Sequence, residues 1–178
     1  TREKAPVETE RSVGLPGAAA RSLLKPNPFI QSDHPRIRRL AERLAKRGEP
    51  PAVRAANILA WVHKNIEKRP VLSVPNALET LDNGVGDCNE HAALLAALLR
   101  ASNIPAEIEA GLVYTKGRFY YHAWNVLYIG RWITADAVFG QMPADATHIR
   151  LIRGGMERQM DLMGVIGNIE LEVLEQTP

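Results

Sequence analysis

Gly86-Asp87-Cys88-Asn89-Glu90-His91 carries the only cysteine of the chain, where a glycine-bearing loop (Gly84, Gly86) runs into an apolar stretch from Ala92 to Ala101. Asp87 is a favourable N-cap residue, and Glu90 three positions on can close a capping box, so the spacing predicts a helix that begins at Cys88. A thiol in the first turn sees the positive end of the helix dipole, which favours the nucleophilic thiolate. The competing reading is a small buried hydrophobe, a common fate of free cysteine. The helix is apolar nearly all round (Ala92, Leu94, Leu95, Leu98, Leu99), which implies burial on several sides.

A base answers to the thiol downstream. Phe119 to Leu127 is rich in aromatic and β-branched residues and reads as a strand containing His122, and Arg131 to Val138 reads as a second. A three-residue loop, Tyr128-Ile129-Gly130, with Gly130 left-handed, pairs Leu127 with Arg131 and sets His122 opposite Asp136. Opposed side chains share a face with Cβ atoms about 5 Å apart, so the carboxylate can hold the imidazole. A two-residue loop would send the two side chains to opposite faces. Upstream, Ala106 to Thr115 reads as a strand joined through a Lys116-Gly117 turn, which places Gly111 across from His122. That glycine either leaves the flank of the imidazole open or marks a bulge.

Cysteine, histidine and aspartate in this arrangement meet the needs of nucleophilic catalysis: Cys88 attacks a carbonyl, His122 moves the proton, and Asp136 orients the ring. The stretch from about Asn57 to Val138 resembles the transglutaminase-like superfamily, whose core is papain-like. Three pieces carry the resemblance. They are Gly86-Asp87-Cys88 with the helix leading to Asn103-Ile104-Pro105-Ala106, then Tyr121-His122-Ala123-Trp124, and then Arg131-Trp132 through Ala135-Asp136-Ala137. The resemblance implies an α+β fold with N-terminal helices and the nucleophile at the start of a central helix packed on an antiparallel sheet. It also implies that Cys88, His122 and Asp136 act as nucleophile, base and orienting carboxylate. Two departures from the family pattern are Ala137, where many relatives have proline, and Asn125 after Trp124, on the face away from His122. The backbone N–H of Cys88 is an oxyanion donor by position, with no second donor identified. Trp61 lies in a helical stretch and packs with Ile58, Leu59 and Val62 rather than at the oxyanion.

Composition bounds the alternatives. The chain has 178 residues, 46% of them hydrophobic, enough for one domain with a sizeable core. A net charge of +2 gives no broad electrostatic case for nucleic acid or anionic membrane. The basic run from Arg36 to Arg47 follows a helical pattern and reads as the solvated side of a helix. No stretch is long enough to cross a bilayer. Residues 1–33, rich in charge, proline and glycine, read as an extended arm that Leu23-Leu24 and Phe29-Ile30 pin to a domain over 34–178. Helices are expected over 35–47, 52–68 and 76–81. Further strands are expected at 148–152 and 166–174, with a helix over 154–163 between them.

The remaining polar residues are weighed against bland roles. Cys88 and His91 could form half a metal site, but no second ligand pair follows, so neither metal nor cofactor is expected. His91, Gly111, Trp124 and Gln141 are candidate cleft-lining residues. His34 and His63 read as surface residues, and Asp145 and His148 as turn chemistry within a compact polar segment that could bend beside the cleft. Three functions fit: a thiol hydrolase (protease or amidase) acting on a peptide or protein, a transglutaminase-type acyl transfer to an amine, or a silent binding module that keeps the fold. Hydrolysis is the favoured expectation. Bacterial relatives of the family are often extracytoplasmic, and the proline-rich arm would suit a tether there.

Overall fold

The computed structural model describes residues 21–72, 74–155, 158, 159 and 162. Helices α1 (Pro35–Leu44) and α2 (Pro51–Asn65) both open on proline, whose missing N–H is an orphan in the first turn anyway. The His34 side chain caps α1 by accepting from the Arg36 N–H at 3.3 Å, so it is a cap rather than an idle surface residue. Ile37, Leu40 and Ala41 turn inward while Arg36, Arg38 and Arg39 stay exposed, the solvated face expected of this helix. A short parallel pair, β1 (Glu67–Lys68) with β2 (Val85–Gly86), brackets α3 (Ala77–Asn83). Ile30 is part of the core, so packed structure begins ahead of residue 34.

Central helix α4 (Cys88–Ala101) buries Leu94, Leu95, Leu98 and Leu99 completely. It packs against α1, α2 and α3 on one side and the sheet on the other, which explains why its sequence has no polar face. The sheet comprises β3 (Ala106–Thr115), β4 (Arg118–Tyr128), β5 (Trp132–Ala135) and β6 (His148–Arg153), antiparallel in the order β5-β4-β3-β6. This is the α+β architecture expected from the sequence. Asn125 Nδ2 donates to the Ala92 carbonyl at 3.0 Å, so the polar residue on the far side of β4 ties the strand to α4.

The β3–β4 register pairs Gly111 with His122, as the Lys116-Gly117 turn predicts. The β4–β5 register differs from expectation. Tyr128 pairs with Trp132 and Leu127 with Ile133, so the three-residue loop is Ile129-Gly130-Arg131, one residue later than the sequence suggested. Tyr128 and Trp132 meet edge to face at 5.4 Å, and that cross-strand aromatic contact accounts for the later turn. The pairing moves by two residues, so facing is kept: Asp136 shares a face with His122 but is not directly opposite it.

Of the two readings the sequence allows for Gly111, the structure has the bulge: the β3–β6 register shifts between Ala110 and Gly111. A Cβ there would lie 2.0 Å from the Ile149 carbonyl oxygen and 2.8 Å from the Leu151 nitrogen, where β6 crosses a bulge against β3. The flank is occupied by backbone, so Gly111 does not line a cleft; it admits β6, the strand that begins with His148. Gly111→Ala is therefore expected to destabilise the protein by about 1–3 kcal/mol, read as a lowered denaturant midpoint.

Among the described residues no helix is long and apolar enough to cross a membrane. The expected strand at 166–174, half of the expected 154–163 helix and residues 1–20 lie outside the described residues; Gly154 and Gly155 form a bend rather than helix, while Arg158, Gln159 and Leu162 are helical.

Candidate active site

The start of α4 is built by a complete capping box. Asp87 Oδ1 accepts from the Asn89 N–H at 2.8 Å, and Glu90 Oε2 accepts from the Asp87 N–H at 3.0 Å. Gly86 is what lets Glu90 fold back, since a Cβ on residue 86 would lie 2.3 Å from Glu90 Cβ. Cys88 is thus fixed in the first turn, half-buried, with its sulfur hydrogen-bonded by the Ala123 backbone, one residue beyond His122.

The thiol's acidity runs against the dipole argument. Burial pushes its pKa up to about 12, and the nearby charges of Asp87, Asp136 and Glu90 add to the rise, while the Ala123 bond opposes it. The carboxylates that cap the helix, Asp87 and Glu90, oppose the field the helix supplies. Cys88 therefore rests as a neutral thiol. Its alkylation by iodoacetamide is expected to be slow at pH 7 and to rise about tenfold per pH unit towards pH 10 with no plateau near neutrality, since only thiolate reacts.

His122 and Asp136 are both buried, and His122 Nε2 lies 2.6 Å from Asp136 Oδ2. Asp136 Oδ1 accepts from the Val138 and Phe139 N–H groups at 2.7 and 3.0 Å. A second histidine completes the set: His148 Nε2 lies 3.0 Å from the same Oδ2. All four acceptor positions of the carboxylate are filled, which prevents it from rotating. Burial alone would raise the Asp136 pKa, but the hydrogen bonds from His122 and His148 outweigh it and hold the group well below the usual carboxylate range. With Nε2 donating to Asp136, the lone pair of His122 lies on Nδ1.

His148, expected in turn chemistry, belongs to this cluster. Its Nδ1 does contact the Asp145 carbonyl at 3.2 Å, so the turn role is real but partial. The available signal was the compact polar segment beginning three residues past Asp136, which closes on itself. Asp136 and Gln141 form a two-way backbone bridge, and Gln141 Nε2 donates to Asp145 Oδ2 at 2.9 Å. From behind, His63 Nδ1 lies 3.0 Å from the Ala137 carbonyl, so it buttresses this loop and is not a bystander.

The other candidate cleft residues have structural tasks. His91 is buried, with Nδ1 2.7 Å from the Asp87 carbonyl and Nε2 3.3 Å from that of Ile66, so neither nitrogen faces a cleft or pairs with Cys88 around a metal. Trp124 is buried as well, donating through Nε1 to Glu109 Oε2 at 3.0 Å, with the ring edge-on to His148. Glu109 is held in turn by Arg150 and Arg153. Gln141 reaches Asp145 and not the Cys88–His122 region. Trp61 packs partly buried against the core, as expected, and also lines an open surface groove with Arg36, Arg39 and Leu81. The aromatic beside the imidazole is Phe139, 5.1 Å from His122 and 41% exposed, which makes it a wall of the approach to the site.

His122, Asp136 and His148 each offer a ligand atom within 4.8 Å of the others, a spacing a metal ion could use. The two imidazole contacts to Asp136, at 2.6 and 3.0 Å, are hydrogen-bond lengths and make the three residues one interacting acid–base cluster.

Comparison with known proteins agrees with the fold. The model of the transglutaminase-like superfamily matches residues 38–137, more than half of the chain. A candidate cysteine protease from Cytophaga hutchinsonii is 27% identical, with a TM-score of 0.69 over 80% of this chain and 48% of its own. The periplasmic domain of TgpA from Pseudomonas aeruginosa is 22% identical, with a TM-score of 0.56 over 74% of this chain and 50% of its own. The chain thus spans about half the length of these solved structures. Curated proteins give no match.

Proposed function

Since the chain belongs to the transglutaminase-like superfamily, we propose that it is a cysteine-dependent hydrolase of amide bonds in peptides or proteins, with Cys88 as nucleophile, His122 as base and Asp136 as the orienting carboxylate. The observation that carries this reading is the 2.6 Å contact of His122 Nε2 with Asp136, which leaves Nδ1 as acceptor on a strand whose next residue, Ala123, lowers the Cys88 pKa through its backbone. Likeness to a candidate cysteine protease supports it.

The chemistry follows from a thiol that rests protonated. His122 Nδ1 takes the proton as the sulfur attacks the carbonyl carbon, so proton transfer and C–S bond formation go together. Negative charge then grows on the substrate oxygen, to which the Cys88 N–H, in the first helical turn, donates a hydrogen bond. The C–N bond breaks as Nδ1–H protonates the departing amine, leaving a thioester. Water next gives a proton to Nδ1 and attacks the thioester carbonyl. The C–S bond breaks and the proton returns to sulfur. Throughout, Asp136 stabilises the transient imidazolium.

The test is to incubate the protein and a Cys88→Ala variant with a peptide library, with and without a primary amine, and to weigh the products. Shortened peptides that depend on Cys88 are expected. Amine adducts would replace hydrolysis with acyl transfer, unit-mass gains would indicate deamidation, and unchanged peptides throughout would favour a silent module.

A further inference from the structure

His148 has acceptors at both ring nitrogens. Nε2 faces Asp136 Oδ2 at 3.0 Å, and Nδ1 faces the Asp145 carbonyl at 3.2 Å and Asp145 Oδ1 at 3.3 Å. A neutral imidazole has a single N–H, so it would turn a lone pair towards one of these oxygens; the cation satisfies both. The side chain is only 4% exposed. The ring is clamped between Trp124 at 5.1 Å and Phe139 at 6.0 Å.

We propose that His148 is a positioning residue for the reaction: an imidazolium that shares Asp136 Oδ2 with His122 and locks the carboxylate in place. The inference rests on the reading of His122 as base. Burial disfavours the charged form of His148, but the hydrogen bond and charge of Asp136, with those of Asp145, raise its pKa above the ordinary histidine value. The charged and titratable groups around it are His122 from β4, Asp136 from the end of β5 and Asp145 from the following loop. Reached through Trp124 is Glu109 from β3, already paired with Arg150 and Arg153 from β6.

Asp136 and Asp145 together carry two negative charges, and a cationic His148 leaves one. Without that cation the imidazolium of His122 is better stabilised and keeps its proton to higher pH. A unit charge at the observed ring separation of 5.7 Å, with an effective dielectric near 20, moves a pKa by up to about two units.

The experiment is a histidine side-chain NMR titration of the full chain and of His148→Gln, alongside the pH profile of kcat/KM. Gln keeps a donor for Asp136 but carries no charge. In the unsubstituted protein His148 is expected to be doubly protonated at pH 7. In His148→Gln the titration midpoint of His122 is expected to rise by about one unit or more, with the acid limb of kcat/KM moving the same way. A neutral His148 at pH 7, or an unmoved His122 midpoint, would overturn the proposal. If His148→Gln does not fold, the charge state in the unsubstituted protein decides alone. Should the chain prove to lack turnover, the His122 midpoint still reads this inference separately from the proposed function.

Discussion

Cys88→Ala is expected to remove turnover, lowering kcat by about 10⁵-fold or more while leaving the fold intact. The size of the effect follows from chemistry: without sulfur there is no thioester, and His122 has no nucleophile to deprotonate. Stability should change little, because Cys88 is half-buried and its helix is held by Asp87, Glu90 and Gly86 rather than by the thiol. Thermal melting of the variant alongside the activity assay separates the two effects. A variant with substantial residual turnover would remove the sulfur from the chemistry.

Asp136→Asn is expected to cost both activity and stability. An asparagine presents one acceptor oxygen and one NH2 where the carboxylate receives four donors, so at least one N–H is left facing another donor. If the amide nitrogen turns towards His122, the ring must accept at Nε2 and carry its proton on Nδ1, which disables the base. A fall in kcat/KM of about 10³- to 10⁴-fold is expected. Breaking a buried charged cluster on one side should cost about 3 kcal/mol. The pH dependence has a definite sign. The folded-state pKa of Asp136 is depressed, so its contribution is present above the unfolded value near 4 and fades as pH falls below it. The pKa of His148 is raised, so its contribution is full below about 6.5 and is lost as pH climbs past its folded value. The difference in unfolding free energy between the unsubstituted protein and Asp136→Asn should therefore be widest between about pH 4 and 6.5, as denaturant titrations across pH would show.

Much of this arrangement is legible along the chain because it is local. The capping box at Asp87 and Glu90, the bounds of α4 and the hairpin that sets Gly111 against His122 each depend on residues a few positions apart. The turn after β4 was displaced by one residue because an aromatic pair, Tyr128 with Trp132, outweighed the preference for a loop ending on glycine. The facing of His122 and Asp136 survived because side-chain direction in a strand depends only on parity. What the sequence hid is set by distant packing. His148 returns to Asp136 through a loop closed by Gln141 and Asp145, and Gly111 answers to a strand almost forty residues away. The acidity of Cys88 could not be read from its helical position, because burial and the neighbouring carboxylates oppose the dipole.

The central claim is a covalent one: an acyl group resides on Cys88 during turnover. The direct measurement is to mix the protein with an activated acyl ester or a cleaved peptide, quench in acid within milliseconds to seconds, and map the modified residue by mass. An acyl adduct is expected on Cys88, absent from Cys88→Ala and slow to form in His122→Ala. Turnover without any adduct on Cys88, or an adduct that forms equally fast without His122, would contradict it.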